Sequence, residues 1–182
     1  METQTSTKTK WNLDPTHSEI GFKVRHMMIT NVSGSFEKFT VNAETDENDF
    51  STAVVKFVAQ LDTITTGSPD RDNHLKSPDF FEVEKYPELQ FVSDEMRKKD
   101  DSSYELLGDL TIRGVTRPIK FDVEFGGVGK DPWGNEKAGF TVVGKINRTD
   151  FNLNWNAALE TGGVLVSEEV RLFADIQLVK QA

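Results

Sequence analysis

Three histidines and no cysteine bound the chemistry open to this 182-residue chain. Without cysteine there are no disulfides and no thiolate nucleophile. His17 and His26 flank one predicted strand. Nine residues of extended chain separate them by about 30 Å, and the odd offset sends them to opposite faces, so they cannot share a metal. No HExxH pair or other close ligand spacing occurs. His74 follows Asp70 by four residues, on the same face of a predicted helix. The plain reading is a carboxylate–imidazole pair, with Asp70 or Asp72 steadying the ring.

Nucleophile signatures are equally sparse. No GxSxG elbow is present. Ser18 neighbours His17, but adjacent residues on a strand point to opposite faces. GGVGK (126–130) lacks the phosphate-loop spacing, and Asp131 stands where a magnesium-binding Ser or Thr belongs. It reads as a hairpin turn. Adjacent acids such as Asp46-Glu47, Asp100-Asp101 and Glu168-Glu169 suit solvated turns and strand edges. The residues therefore predict no catalytic set, no metal and no cofactor.

What positions these residues is mostly strand. Residues 18–25 alternate, with Ile20, Phe22 and Val24 on one face and Glu19, Lys23 and Arg25 on the other. Residues 53–60, 104–112, 140–146 and 170–178 repeat the pattern, and 118–125 is its cleanest case. Strict alternation predicts half-buried antiparallel strands. Turn signals at 44–49, 98–103, 113–117 and 126–135 separate them. About eight or nine strands at this spacing imply a barrel or a sandwich.

One stretch breaks the pattern. Ser68-Pro69-Asp70 is a helix start, with a capping hydroxyl, proline at the first position and a carboxylate in the first turn. Ser77-Pro78-Asp79 repeats the signal and predicts a second short helix carrying Phe80, Phe81 and Val83. The first should end near Lys76, because the residue before proline resists helix. Together they would cap or gate one end of a barrel, with Asp70, His74, Leu75, Phe80 and Phe81 as the cap residues.

Composition narrows the partners. Thirty acidic against 21 basic residues give a net charge of −9, with no long basic run, which disfavours nucleic acid. No run approaches the length of a membrane span. Residues 1–10 are polar and read as a disordered tail before a single domain over 11–182. The tail has no apolar signal region, which leads us to expect a cytoplasmic protein.

The aromatics carry more. Among 13 phenylalanines, Phe22, Phe57, Phe91, Phe121, Phe125 and Phe140 fall on apolar strand faces. An eight-stranded barrel can either be filled by such side chains or hold one small ligand, and periodicity does not separate the two.

These segments resemble the YceI-like family, lipocalin-like polyisoprenoid-binding proteins. WNLDPTHSEIGFKVRHMMITNVSGSF (11–36) is similar to the family's opening, and DNHLKSPDFFEVEKYPELQFVS (72–93) to its helical insert. GDLTIRGVTRPI (108–119), RTDFNLNWN (148–156) and VSEEVRL (166–172) match further along. The resemblance implies an all-β, extended eight-stranded antiparallel lipocalin-like β-barrel around a long apolar tunnel. It also implies an isoprenoid or other long-chain lipid ligand, with a homodimer as a family possibility. The tail would lie against Phe22, Val24, Phe57, Phe91 and Leu106, and against Leu110, Phe121, Val123, Phe140 and Val142. His26, Arg148 and Arg171 are the candidates for its head group. Asn152 stands where relatives often carry glycine, and asparagine tolerates the left-handed backbone expected there.

The expected function is binding for carriage, storage or sequestration, not catalysis. Two alternatives stay open: a packed structural or interaction barrel, and an enzyme acting on a prenyl lipid with His26 or His74 as general base.

Overall fold

The computed structural model describes residues 8–157 and 165–181. Each alternating segment forms a strand. In chain order these are β1 (Lys8–Leu13), β2 (Glu19–His26), β3 (Thr30–Phe36), β4 (Phe39–Asp46) and β5 (Asp49–Gln60). After the short β6 (Ile64–Thr65) and the helix α1 (Pro69–Lys76) come β7 (Glu88–Lys98), β8 (Ser103–Ile112), β9 (Val115–Lys130), β10 (Glu136–Asn147) and β11 (Val166–Lys180).

Every pairing between described strands is antiparallel. The ring runs β1-β4-β5-β7-β8-β9-β10-β11 and closes where β11 returns to β1, with Trp11 opposite Lys180. This is a closed eight-stranded barrel, which leaves the ring no open sheet edge. The long β11 has two partners along one edge: β1 near its end, and β2 over the rest. β3 and then β6 extend the sheet beyond β2. Asp14-Pro15 makes the corner that lets one chain segment serve both positions. The Asp14 carboxylate accepts from Thr16 N–H at 3.1 Å and caps a 3-10 turn over Pro15–His17.

Helix α1 starts as its sequence dictates. Ser68 Oγ accepts from Arg71 N–H, Pro69 occupies the first turn, and Asp70 and Asp72 face the positive helix end. Ser77 ends it by donating its N–H and hydroxyl to His74 O. The second predicted helix is absent. Residues 77–85 form successive turns in which Phe81 and Val83 donate back to Leu75 and Lys76 carbonyls, and Glu82 takes a left-handed φ of 50°. A β-region Ser77 and that left-handed residue leave no run of helical dihedrals to propagate.

Two other expectations change. GGVGK is strand, not turn: it forms the end of β9, with a bulge beside Gly126, and the chain reverses at 131–135. There the Asp131 carboxylate accepts from the N–H groups of Trp133 and Asn135, both at 2.9 Å. At the other end of the chain, β1 begins at Lys8, inside the segment expected to be a tail.

Candidate functional site

The inner faces of the strands do not fill the barrel evenly. Near the β1 end, aromatic rings meet across the interior. Phe50 stacks within 5.1 Å of Trp11, 5.1 Å of Phe125 and 5.0 Å of Phe140, centroid to centroid. Trp11 is wholly buried, and its indole N–H donates to Thr45 Oγ1 at 3.0 Å. That end is packed solid.

Toward the other end the interior opens. An inner chamber of about 140 Å³ is lined by Val55, Phe57, Phe91, Leu106, Leu110, Phe121 and Val142, with Ile20 and Ile176 beside them. Beyond it lies a mouth chamber of about 240 Å³ under α1 and the turns that follow. Phe22, Phe36, Leu89, Ile112 and Leu172 line both, so the two chambers meet at these side chains. An apolar void of about 150 Å³ stays dry and admits a benzene-sized solute. Each chamber is of that order or larger, and both walls are overwhelmingly apolar.

Glycines on the inner face help to keep this space clear. Gly34 follows Val32 by two along β3, and Gly144 follows Val142 by two along β10, so both point inward. A Cβ on Gly34 would sit 2.3 Å from the Phe22 ring, and one on Gly144 would sit 2.6 Å from Phe121. Each ring therefore sits against bare backbone, in space that a side chain at the glycine would occupy. Gly108 under Phe91 repeats the arrangement, at 2.7 Å.

The predicted residues distribute over these regions as follows. Phe57, Phe91, Leu106, Leu110, Phe121 and Val142 line the inner chamber, Val24 the mouth, and Phe22 both. Val123 and Phe140 line neither; Phe140 is held in the aromatic plug, and Val123 is buried beside it between Tyr104 and Val142. His26 ends β2 on the inner face and lines the mouth, as does Arg148. Arg171 does not: it alternates with the inward Val170 and Leu172, so its side chain stands outside the barrel, 73% exposed, near Glu169. His74, Leu75, Phe80 and Phe81 all line the mouth, but Asp70 is exposed on the outer side of α1.

The partner of His74 also differs from expectation. Its Nε2 lies 2.8 Å from Asp79 Oδ2, and its ring packs edge-on against Phe80 and Trp155. Asp72 is engaged elsewhere, accepting from Thr66 N–H at 2.8 Å and from its hydroxyl. The non-helical path after Ser77 brings Asp79 back over the ring, a fold-back that helix spacing alone does not reveal.

Arg148 is the most buried charge at the site, at 4% exposure. Its Nε donates to Ser167 O at 2.8 Å, and Nη1 to Leu153 O at 2.6 Å and Trp155 O at 2.8 Å. Nη2 donates to Val166 O at 3.2 Å. Burial pulls the guanidinium below its ordinary pKa, and Glu168 acts in the opposite sense. Asn152 closes this loop in the left-handed region at φ 59°, as the family resemblance implied.

Sequence reasoning missed Phe36, Leu89, Trp155 and Leu172 as lining residues, along with Arg25 and Arg71. Leu172 was available from the alternation of β11. Trp155 lies on irregular chain, where no period marks it.

The described residues contain no group of three or more His, Cys, Asp or Glu placed to hold a metal. No described helix is long and apolar enough to cross a membrane.

Comparison with known proteins agrees with the geometry. A UPF0312 protein of Staphylococcus aureus is 41% identical over 170 residues, which cover 93% of this chain and 96% of the relative. The crystal structure of a Campylobacter jejuni YCEI protein superposes with a TM-score of 0.74 at 31% identity, covering 93% of this chain and 97% of that one. A polyisoprenoid binding domain from Saccharophagus degradans shares the fold, with a TM-score of 0.68 at 14% identity over 94% of this chain and 98% of that one. The family model described as the YceI-like domain matches residues 11–178, so barrel, helical insert and sequence together assign the chain to the YceI-like family.

Proposed function

We propose that this protein binds a long-chain isoprenoid lipid or similar amphiphile for carriage, storage or sequestration. The tail would thread the inner chamber and the polar end would rest in the mouth. The carrying observation is the pair of apolar chambers joined at Phe22, Phe36, Leu89, Ile112 and Leu172. Each methylene moved from water into such a wall gains about 0.8 kcal/mol before ordering costs. Ten of them give about 8 kcal/mol, enough for tight binding without a catalytic group. The shared fold of a polyisoprenoid binding domain supports the same ligand class. Binding, not turnover, is the reading that fits. His26 and His74 have no nucleophile beside them among the described contacts, and the acid beside His74 is half exposed.

The test has two arms. Mass spectrometry of an organic extract of the purified protein is expected to show a co-purifying long-chain lipid. Uptake of a fluorescent prenyl lipid is expected to fall at least several-fold in Leu89→Trp, which adds bulk where the chambers meet, and in Phe121→Asp. An empty extract together with undiminished uptake in both folded variants would overturn the proposal in favour of a barrel with no ligand.

A further inference from the structure

The charge on one outer wall of the barrel is sorted along its axis. Lys145 on β10 lies directly opposite Arg171 on β11, and Arg171 directly opposite Lys23 on β2. All three side chains are exposed. Toward the packed end the sign reverses, and Asp175 stands opposite Glu19. Between the two rows run Val143, Phe173 and Gly21.

A wall that served only solubility would interleave the signs, because like charges directly opposite one another destabilise a sheet and opposite ones support it. Here the cations are kept together, in a chain whose net charge is −9. Little neutralises them. Among the described residues, the only acid within salt-bridge distance of the row is Glu169, 3.9 Å from Arg171. Lys23 lies 5.7 Å over the Phe173 ring instead.

Beyond Lys23, β2 reaches Arg25 and then an apolar hairpin tip beside the mouth. Met27, Met28 and Ile29 are 41%, 54% and 74% exposed. Both central residues of the turn are left-handed, with φ of 54° at Met27 and 60° at Met28, and Ile29 N–H donates to His26 O at 3.2 Å. Asn-Gly is the relaxed pair for such a turn, so backbone preference does not account for two methionines there. Arg25 Nη2 donates to Met28 O at 2.9 Å and braces the tip. Contiguous exposed apolar side chains rimmed by charge mark an interaction surface.

We propose that this wall and tip dock the protein on an anionic lipid bilayer. Met27, Met28 and Ile29 enter the interface, and Lys23, Lys145 and Arg171 face the lipid head groups. An apolar edge beside a cationic face is the combination that holds a protein on a charged membrane surface. An acidic protein would answer the cations but would leave the tip without an apolar medium. Asp175 and Glu19, repelled by the same surface, turn the packed end away and bring the mouth toward the bilayer. The docking goes beyond the lipid-binding reading, because it concerns the outer wall and not the contents of the chambers.

Flotation of the full-length protein with vesicles tests this, comparing phosphatidylcholine alone with phosphatidylcholine that contains phosphatidylglycerol. At low salt the anionic vesicles are expected to be bound about tenfold or more tightly than the neutral ones, and salt should erase the preference. The triple variant Lys23→Gln, Lys145→Gln, Arg171→Gln should lose it, while relieving like-charge repulsion in the sheet. Met27→Asn with Met28→Gly gives the turn its favoured pair, so the fold should hold while vesicle binding falls several-fold. Trp133→Ser, at the exposed hairpin tip of the packed end, should bind as the parent does. None of these residues lines a chamber, so uptake of a prenyl lipid from detergent should persist in every variant. Equal binding to both vesicles, or full anionic binding by the triple variant, would overturn the docking and leave the chamber reading intact. Loss of vesicle binding in Trp133→Ser alone would overturn it too. So would a polyglutamate peptide bound as tightly as the anionic vesicles, which would show a site for acidic protein. Salt-sensitive self-association without vesicle binding, abolished in the triple variant, would show the row meeting a second copy and overturn it equally. Failed prenyl uptake with vesicle binding retained would count against the chamber reading alone.

Discussion

The two ends of the barrel are built from the same alphabet and reach opposite outcomes. Both present inward phenylalanines from alternating strands. At the β1 end Phe50, Phe125 and Phe140 project to the axis and meet Trp11, and the space closes. At the other end Phe22, Phe91 and Phe121 lie back over Gly34, Gly108 and Gly144, and the space stays open. The difference is set less by the rings than by what lies beneath them. A ring over a glycine finds a shallow seat against the wall, whereas a ring beside Tyr104 or Ala138 has only the centre to fill. Hollow and packed barrels can thus share one hydrophobic pattern and differ in their inward glycines.

The strongest way to break this comparison is to remove the keystone of the packed end. Trp11→Ala empties a fully buried site and removes the indole donor to the Thr45 hydroxyl, which keeps its own bond to Glu47 O. The expected loss is about 3–5 kcal/mol in denaturant unfolding. Trp155→Ala, in the half-buried mouth wall, should cost about 1 kcal/mol or less because the site is already open. It should nevertheless weaken lipid uptake. Comparable destabilisation by the two would mean that the mouth is as well packed as the plug.

A finer test moves a ring instead of deleting one. Gly34→Ala places a methyl group whose three nearest neighbours are all atoms of the Phe22 ring. Phe22 must swing off the wall toward the junction of the chambers, at about 1–3 kcal/mol of overpacking strain. Uptake of a long prenyl chain, which must pass that junction, should fall more than uptake of a short one that fits in the mouth. Equal loss for both lengths would place the block elsewhere. Gly108→Ala would be a poor substitute, because its Cβ also meets the backbone carbonyl of Val92 at 2.3 Å and threatens the sheet itself.

This contrast marks what could be read from sequence. Alternation located β2, β5, β8, β9, β10 and β11 and put Phe57, Leu106 and Leu110 on the correct face, because side-chain period two is a local property. The Ser-Pro-Asp start of α1 was legible for the same reason. Whether Phe140 or Phe121 faced a void was not, since that depends on neighbours two to four strands away in the ring: Phe91 for Phe121, and Phe50 for Phe140. Arg171, a candidate for the head group, fails by parity: the inward Val170 and Leu172 force it outside. Asp79 was missed as the partner of His74 because a helix was expected where the chain folds back.

The corner between β1 and β2 couples the packed end to pH. Lys137 at 2.7 Å holds the Asp14 carboxyl well below the usual carboxylate range; burial opposes this, and His17 and Thr16 reinforce it. A carboxylate whose folded pKa is depressed stabilises the fold above its unfolded value, about 3.9, and loses that contribution as pH falls below it. Asp14→Asn should therefore lower Tm by a few degrees at neutral pH and flatten the acid limb of the stability curve below about pH 4. An acid limb as steep as that of the parent would assign it to other carboxylates.

The smallest effect is expected where the mouth is fastened from outside. Asp79 is 54% exposed and His74 39%, so their contact is screened by water and salt. Asp79→Asn should change stability by less than about 1 kcal/mol, in line with other exposed pairs. Its consequence belongs to the cap. The asparagine can still accept a hydrogen bond but no longer carries charge, so His74 keeps its place against Phe80 and Trp155 by packing alone. Exchange of a bound fluorescent lipid, followed by its release to acceptor vesicles, should quicken modestly in this variant. In Trp11→Ala the same rate should hold near the parent value in the folded fraction. If the packed-end substitution speeds release and the mouth substitution does not, the lipid leaves by the end we regard as plugged, and the assignment of the two ends is reversed.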